Sequence, residues 1–224
     1  ALGAAIRKAG VPRDDLTVAS KLPGRHHHFD EAIATVEELL YRAQLDYYDL
    51  YLIHWPNPSK NLYSEAWSAL VEARRRGLVR SIGVCNFLPE HLKRIIADSG
   101  VIPVINQVEL HPYFPQHEQL AFDRSLGIVT EAWSPLGRAN HLMKEPVIEK
   151  IAKRVERTTA QVILRWHVQL GSVSLPKAAS SARQVENLSV FDFELSADDM
   201  TEIATLARPD GRTFDQDPAR YEEF

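Results

Sequence analysis

The amino-acid sequence predicts an α/β fold with a parallel β-sheet. Short apolar runs typical of strands alternate with longer segments whose apolar residues recur at helical spacing. The run at 50–53 is continuously apolar and bulky, which is typical of a strand covered by helices on both faces. Because strand-like and helical segments alternate along the chain, we expect each strand to run parallel to the next, with a helix between them.

Six strands are predicted by these apolar runs. They lie at 16–20, 50–53, 80–84, 104–105, 128–132 and 173–175. Capping signals place the helices between them. Asp30 is expected to cap the helix before the second strand, Pro89 and Gly100 bound the fourth helix, and Thr158 with Gln161 has the spacing of a capping box. The remaining helices are predicted at 2–8, 63–76, 116–125, 146–155, 181–188 and 196–206.

The composition is that of an ordinary globular protein. Its 224 residues are 45% hydrophobic and 25% charged, which predicts one domain over residues 1–224. A net charge of −4 with mixed signs argues against nucleic acid or an anionic membrane as a partner. The single cysteine, Cys85, excludes an internal disulfide and fits the cytoplasm. We also expect no membrane span and no signal peptide, and we expect a monomer.

Six strands are fewer than a closed barrel needs. A (β/α)8 TIM barrel has eight parallel strands, each followed by a helix. We therefore predict a TIM barrel whose first two β/α units are absent from these 224 residues. Since the predicted helix at 2–8 opens the sequence, the absent units, roughly 50 residues, are expected to precede it.

Polar or aromatic side chains follow the predicted strands. These residues are Lys21, His54, Asn86, Gln107, Trp133 and Lys177. The carboxyl ends of parallel barrel strands meet at one rim, which is where active sites of this architecture lie. We therefore expect these side chains to converge on a single site.

The same strand ends carry motifs that occur in this order in one enzyme family. The motifs are Ser-Lys-Leu at 20–22, Asp-Leu-Tyr-Leu-Ile-His-Trp-Pro at 49–56, Ser-Ile-Gly-Val-Cys-Asn-Phe at 81–87, Asn-Gln-Val-Glu-Leu-His-Pro at 106–112, Trp-Ser-Pro-Leu-Gly at 133–137, Leu-Pro-Lys at 175–177 and Glu-Asn-Leu-Ser-Val-Phe-Asp-Phe-Glu-Leu at 186–195. Through these motifs the chain resembles the aldo-keto reductases, close to the bacterial diketogluconate reductase branch.

The resemblance implies hydride transfer from NADPH to a carbonyl carbon, with a tyrosine as proton donor. Lys21 would be the ammonium that makes this tyrosine a usable acid, and His54 would orient the carbonyl through a hydrogen bond. In the family the tyrosine, and the aspartate that holds the lysine, lie upstream of the helix that opens this sequence. Tyr47, Tyr48 and Tyr51 are not substitutes, because the motif places them in the strand that follows a later helix.

The resemblance also implies a binding site for the nicotinamide half of NADPH. Asn86 and Gln107 would bind the carboxamide, and Trp133 would stack on the nicotinamide ring. Ser134 and Leu136 would line the pyrophosphate.

The adenosine half would be held further along the chain. Lys177 and Arg183 would bind the 2′-phosphate of NADPH, for which an arginine fork is well suited. Glu186 and Asn187 would meet the adenine. No glycine-rich phosphate loop is present, so a Rossmann site is not the alternative.

The predicted activity is NADPH-dependent reduction of small aldehydes, ketoaldehydes or keto-sugars. One alternative is a catalytically weak NADP(H)-binding regulatory subunit of the same fold, against which Lys21 and His54 argue. A sugar-phosphate isomerase is disfavoured because such sites generally use a carboxylate base. We expect no metal site, since three adjacent histidines at 26–28 cannot all face one ion from a regular element. The 224 residues alone are expected to be inactive.

Overall fold

A computed structural model describes residues 2–139 and 141–223 of the chain. Its six strands are β1 (Ala19–Leu22), β2 (Tyr48–Ile53), β3 (Val79–Cys85), β4 (Ile105–Glu109), β5 (Val129–Trp133) and β6 (Val173–Ser174). They follow one another in chain order. The pairs β1–β2, β2–β3 and β5–β6 are parallel. The predicted alternation of strand and helix is confirmed.

Helices connect the strands and follow the last of them. They are α1 (Leu2–Lys8), α2 (Phe29–Ala43), α3 (Tyr63–Arg75), α4 (Pro89–Ser99), α5 (His117–Ser125), α6 (Pro146–Arg154), α7 (Thr159–Leu170), α8 (Ser181–Leu188) and α9 (Ala197–Ala204). Within the described part of the chain, no helix is long and apolar enough to cross a membrane.

Two of the three predicted helix caps are confirmed. Gly100 closes α4 in the left-handed region, with φ of 70°. Thr158 and Gln161 form the predicted capping box of α7. The predicted cap at Asp30 is wrong. α2 begins at Phe29, one residue before Asp30, so Asp30 lies in the first turn of the helix. The Glu65 carboxylate accepts the Phe29 N–H at 2.7 Å, so a distant side chain supplies an acceptor at the start of this helix.

All six strands have boundaries that differ from the prediction by at least one residue, and in β1, β4 and β5 the difference changes the position of a predicted site residue. β1 starts at Ala19, not residue 16, because the Asp49 carboxylate accepts the Val18 N–H at 2.9 Å. β1 also runs on to Leu22, two residues past its predicted end, so Lys21 lies within the strand. β4 runs on to Glu109 and contains Gln107, which was expected to follow the strand. Its polar side chains are buried, and this hid the strand from a pattern based on apolar runs. β5 includes Trp133 as its last residue.

The chain forms two compact units, divided within β4. The first contains residues 2–106, 126–128 and 217–223, and the second contains residues 107–125, 129–139 and 141–216. Trp67 of α3 is fully buried in the first unit, and its indole N–H donates to Ser99 Oγ at 3.0 Å. Trp166 of α7 is buried in the core of the second unit. Both tryptophans are core residues of their units, while the single-domain assignment stays a prediction.

Candidate active site

His54 directly follows β2, as the sequence predicted. Its backbone N–H donates to the Leu22 carbonyl at 3.0 Å, which continues the β1–β2 pairing by one step. The side chain is 39% exposed, and Nδ1 lies 2.6 Å from the Oε1 of Glu223. The backbone of His54 is therefore fixed by the sheet, while its ring is held by a carboxylate near the C-terminal end of the described chain.

Lys21 lies on the neighbouring strand at almost the same level. It pairs with Leu52, two residues before His54, and is partly buried. Side chains alternate between the two faces of a strand, so residues two apart project to the same face. The register thus places Lys21 and His54 on one side of the sheet near the carboxyl ends of β1 and β2.

Asn86 is the third predicted residue in the first unit. It follows β3 directly, is buried, and adopts a left-handed conformation with φ of 61°. Asparagine tolerates this region better than most residues, and strained backbone of this kind is found at functional sites. The Asn86 Nδ2 donates to the His54 carbonyl at 3.0 Å, so the ends of β2 and β3 are tied together.

Gln107 and Trp133 belong to the second unit. Gln107 is buried, and its Nε2 donates to the Oε2 of Glu131 on β5 at 2.7 Å. Glu131, which the sequence interpretation missed, is two residues before Trp133 and thus on the same face of β5. The two-residue spacing between Glu131 and Trp133 was the feature of the sequence that could have indicated Glu131. A carboxylate partner orients the Gln107 amide, and its second N–H and its carbonyl can serve a ligand.

The structure brings together three of the residues predicted for the phosphate region. Ser134, Leu136 and Lys177 line one cavity of about 560 Å³, together with Pro135, Arg138, Leu175 and Pro176. Ser134 has a positive φ of 51° at the turn that follows β5. The cavity therefore combines an ammonium, a guanidinium and a strained turn, which suits a polyanionic ligand.

His167 contacts the backbone of Pro135, which lines this cavity, and it was not predicted as a site residue from the sequence. Its ring nitrogens lie 3.3 Å from the Pro135 carbonyl and 3.1 Å from Ser172 Oγ. Complete burial lowers the pKa of His167 to about 3, so the ring is neutral at physiological pH. A neutral ring bridges the turn after β5 and the start of β6 without placing a buried charge beside the cavity.

Lys177, which lines this cavity, is one of the four residues assigned to the adenosine half. The other three lie on α8 and are not among the residues that line the cavity. Arg183 is exposed in the first turn of α8, and Asn187 is partly buried. Glu186 Oε1 accepts the hydroxyl of Thr158, the cap of α7, at 2.6 Å. Glu186, one of the four residues predicted to hold the adenosine half, therefore already has a hydrogen-bond partner within the protein.

The three adjacent histidines do not share a common environment. His26 ends a short 3₁₀ turn, His27 is buried and His28 is exposed. Burial lowers the pKa of His27 to about 4, so it is neutral near pH 7. In residues 2–139 and 141–223, no three His, Cys, Asp or Glu side chains are grouped to hold a metal ion.

Glu109, the last residue of β4, and His111 form a buried hydrogen-bonded contact. His111 Nε2 and the Thr213 N–H lie 3.0 Å and 2.8 Å from Glu109 Oε1. Burial raises the pKa of Glu109, but hydrogen bonds from His111 and Thr213 outweigh it and hold that pKa below its ordinary value. These contacts give His111 a structural role.

Glu109→Gln is expected to lower the free energy of unfolding by about 1–3 kcal/mol at pH 7. Because the folded pKa of Glu109 is below its unfolded value of about 4.3, this stability is complete above that value and is lost as the pH falls through the folded pKa. Urea unfolding of both proteins from pH 7 to pH 3 measures the difference. A gap that stays constant over this range would contradict the assignment.

Comparison with known proteins places these features in a family. The sequence model described as the Aldo/keto reductase family matches residues 1–208. The 2,5-diketo-D-gluconic acid reductase B of Corynebacterium sp. (strain SHS752001) is 50% identical over 223 residues, covering 100% of this chain and 80% of the relative. The chain belongs to the aldo-keto reductase family.

Further relatives agree with this assignment. Methylglyoxal reductase DkgA of Yersinia pestis is 40% identical over 222 residues, covering 96% of this chain and 79% of the relative. The crystal structure of a Gox0644 mutant in complex with NADPH matches with a TM-score of 0.90 at 41% identity, covering 97% of this chain and 78% of that one. The predicted family and the predicted α/β-barrel class of this aldo-keto reductase are confirmed. The roles of individual residues stay predictions.

Proposed function

We propose that this aldo-keto reductase reduces small aldehydes, ketoaldehydes or keto-sugars to alcohols with NADPH. The observation that carries the proposal is the placement of Lys21, His54 and Asn86 at the carboxyl ends of three adjacent parallel strands. Two relatives are named as reductases of a diketo-sugar acid and of methylglyoxal, and the crystal structure of a third similar protein contains NADPH.

The chemistry separates into hydride addition and proton delivery. NADPH, when bound, supplies the hydride that adds to the carbonyl carbon. The carbonyl π electrons move to oxygen, which takes a proton from the tyrosine implied by the family resemblance. Lys21 stabilises the phenolate left behind, since an ammonium favours the charged form of a neighbouring acid. His54 hydrogen-bonds the carbonyl oxygen and stabilises its developing negative charge.

The cofactor roles follow the groups each residue offers. Asn86 and Gln107 present side-chain amides, which complement the donor and acceptor of a nicotinamide carboxamide. Trp133 offers a flat apolar face to the nicotinamide ring. Ser134 and Leu136 border the cavity of about 560 Å³ after β5, which fits a pyrophosphate with Lys177 as its cation.

The 2′-phosphate is assigned to Lys177 and Arg183, with Glu186 and Asn187 beside the adenine. Arg183→Ala is therefore expected to weaken NADPH binding by about 1–3 kcal/mol, because a charge-assisted contact is lost, and to leave NADH binding unchanged. Fluorescence titration with both cofactors measures this. Arg157→Ala is the control, since Arg157 pairs with Asp192 instead. Equal losses for NADH and NADPH would contradict the assignment of Arg183.

A direct assay decides between the enzyme and a regulatory NADPH-binding subunit. The protein as its gene encodes it is mixed with NADPH and methylglyoxal, and the loss of NADPH absorbance is followed. Turnover supports the proposed function. Tight NADPH binding without turnover of methylglyoxal, an aromatic aldehyde or a keto-sugar acid would favour the regulatory subunit.

A further inference from the structure

The last residues of the described chain fold back onto the end of β2. Glu223 reaches His54, where Oε1 lies 2.6 Å from the ring Nδ1, and its Oε2 accepts the Gly24 N–H at 2.8 Å. Its backbone is fixed by the side chain of Asn57. Asn57 Nδ2 donates to the Glu223 carbonyl at 2.8 Å, and the Glu223 N–H donates to Asn57 Oδ1 at 2.9 Å.

Neighbouring residues hold the same segment in place. The ring of Tyr221 packs on that of Trp55 with centroids 4.4 Å apart, and Glu222 Oε1 accepts the Ser59 N–H at 2.7 Å. Backbone, aromatic and carboxylate contacts therefore fix residues 221–223 together. The Glu223 carboxylate does not reach His54 as a loose surface side chain, since only 18% of that side chain is exposed.

The ionisation of Glu223 determines that Nδ1 of His54 carries a proton. Partial burial raises the pKa of Glu223, but the hydrogen bonds from His54 and Gly24 outweigh it and hold the pKa below its ordinary value. Glu223 is therefore a carboxylate at neutral pH. Because a carboxylate only accepts hydrogen bonds, the short contact requires a proton on Nδ1 of His54.

We propose that Glu223 is a positioning residue for His54. It fixes the ring plane and keeps a proton on Nδ1, so that Nε2 points away from the carboxylate. For Nε2 to donate to a substrate carbonyl while Nδ1 donates to Glu223, both nitrogens must carry protons. The carboxylate supplies the negative charge that such a cationic ring needs. The catalytic part of this inference rests on the proposed function, whereas the control of the Nδ1 proton does not.

The isosteric variant Glu223→Gln removes the charge and keeps the shape. A glutamine can accept from Nδ1 through its oxygen or donate to it through its nitrogen, so a proton on Nδ1 of His54 is no longer required. Glu222→Gln is the matched control, because Glu222 contacts Ser59 and not His54. Both variants are made in the protein as its gene encodes it, and circular dichroism verifies that each is folded.

The first readout is nitrogen NMR of the imidazole groups. Two-bond ¹H–¹⁵N correlation spectra are recorded at neutral pH, and the His54 signals are identified by their loss in His54→Ala. We expect a protonated Nδ1 in the unmodified protein and in Glu222→Gln, and a changed protonation pattern in Glu223→Gln. The same His54 pattern in all three proteins would overturn the positioning role, whatever the enzymatic activity.

The second readout is carbonyl reduction. In Glu223→Gln, kcat should fall by about 10- to 100-fold, by analogy with the loss of the hydrogen-bond partner of a metal-bound histidine, while the KM for NADPH is unchanged. Glu222→Gln should retain the original kcat. A changed protonation pattern of His54 with an unchanged kcat would overturn the catalytic part. If the unmodified protein shows no turnover at all, the proposed function fails, and the NMR result still decides whether Glu223 controls His54.

Discussion

Lys21→Met in the protein as its gene encodes it is expected to lower kcat/KM for carbonyl reduction by about 10²–10⁴-fold. Methionine has nearly the length and flexibility of lysine and carries no charge, so packing in β1 is conserved while the ammonium is lost. A free tyrosine has a pKa of about 10 and is a poor acid at neutral pH without a neighbouring cation. A positioned proton donor contributes typically 10²–10⁴-fold, and this contribution is what the variant should lose.

The measurement is steady-state NADPH oxidation with methylglyoxal, with cofactor affinity titrated separately. His54→Ala should also lower the rate sharply, since it removes the hydrogen bond to the carbonyl oxygen. Lys150→Met is the control, because Lys150 lies on α6 and forms a surface ion pair with Glu202. Retention of kcat/KM in Lys21→Met would show that Lys21 does not assist proton transfer.

Local signals in the sequence predicted the parts of the fold that local contacts determine. Thr158 and Gln161 cap each other within one turn, and Gly100 ends α4 through its own backbone conformation. The end of β2 before His54 follows from one apolar run. In each case the deciding interaction lies within a few residues, so a pattern of residue types was enough.

The remaining features depend on contacts between distant parts of the chain. Glu65 lies 36 residues after the helix start to which it hydrogen-bonds, and Glu223 lies 169 residues from His54. The polar residues of β4 can lie in a buried strand because they have hydrogen-bond partners there, and only the tertiary structure reveals those partners. The sequence predicted His54 as a functional histidine but contained no local signal for Glu223, whose carboxylate contacts the His54 ring.

A chain restricted to these 224 residues is expected to show no NADPH oxidation above background. Three tyrosines lie in or directly before β2, the strand that His54 follows, and they are unsuited to donate a proton. Tyr48 and Tyr51 lie within β2, where burial raises the pKa of both. Tyr47 donates its hydroxyl proton to Asp14 at 3.0 Å, and its pKa is also raised, by desolvation and by this hydrogen bond. A phenol with a raised pKa is a weaker acid than free tyrosine, so none of the three replaces a donor tuned by Lys21.

The decisive comparison adds a front segment to the same chain. A chimera joins the upstream part of the Corynebacterium 2,5-diketo-D-gluconic acid reductase B, which is 50% identical to this chain and of which the chain covers 80%, to residues 1–224. Both proteins are assayed with NADPH and either methylglyoxal or an aromatic aldehyde. We expect turnover from the chimera alone, because hydride transfer requires a positioned acid together with a fixed reaction geometry. Lys21→Met in the chimera should then abolish most of the gain. Turnover by the 224-residue chain at a rate similar to the chimera would contradict both the need for an upstream tyrosine and the role assigned to Lys21.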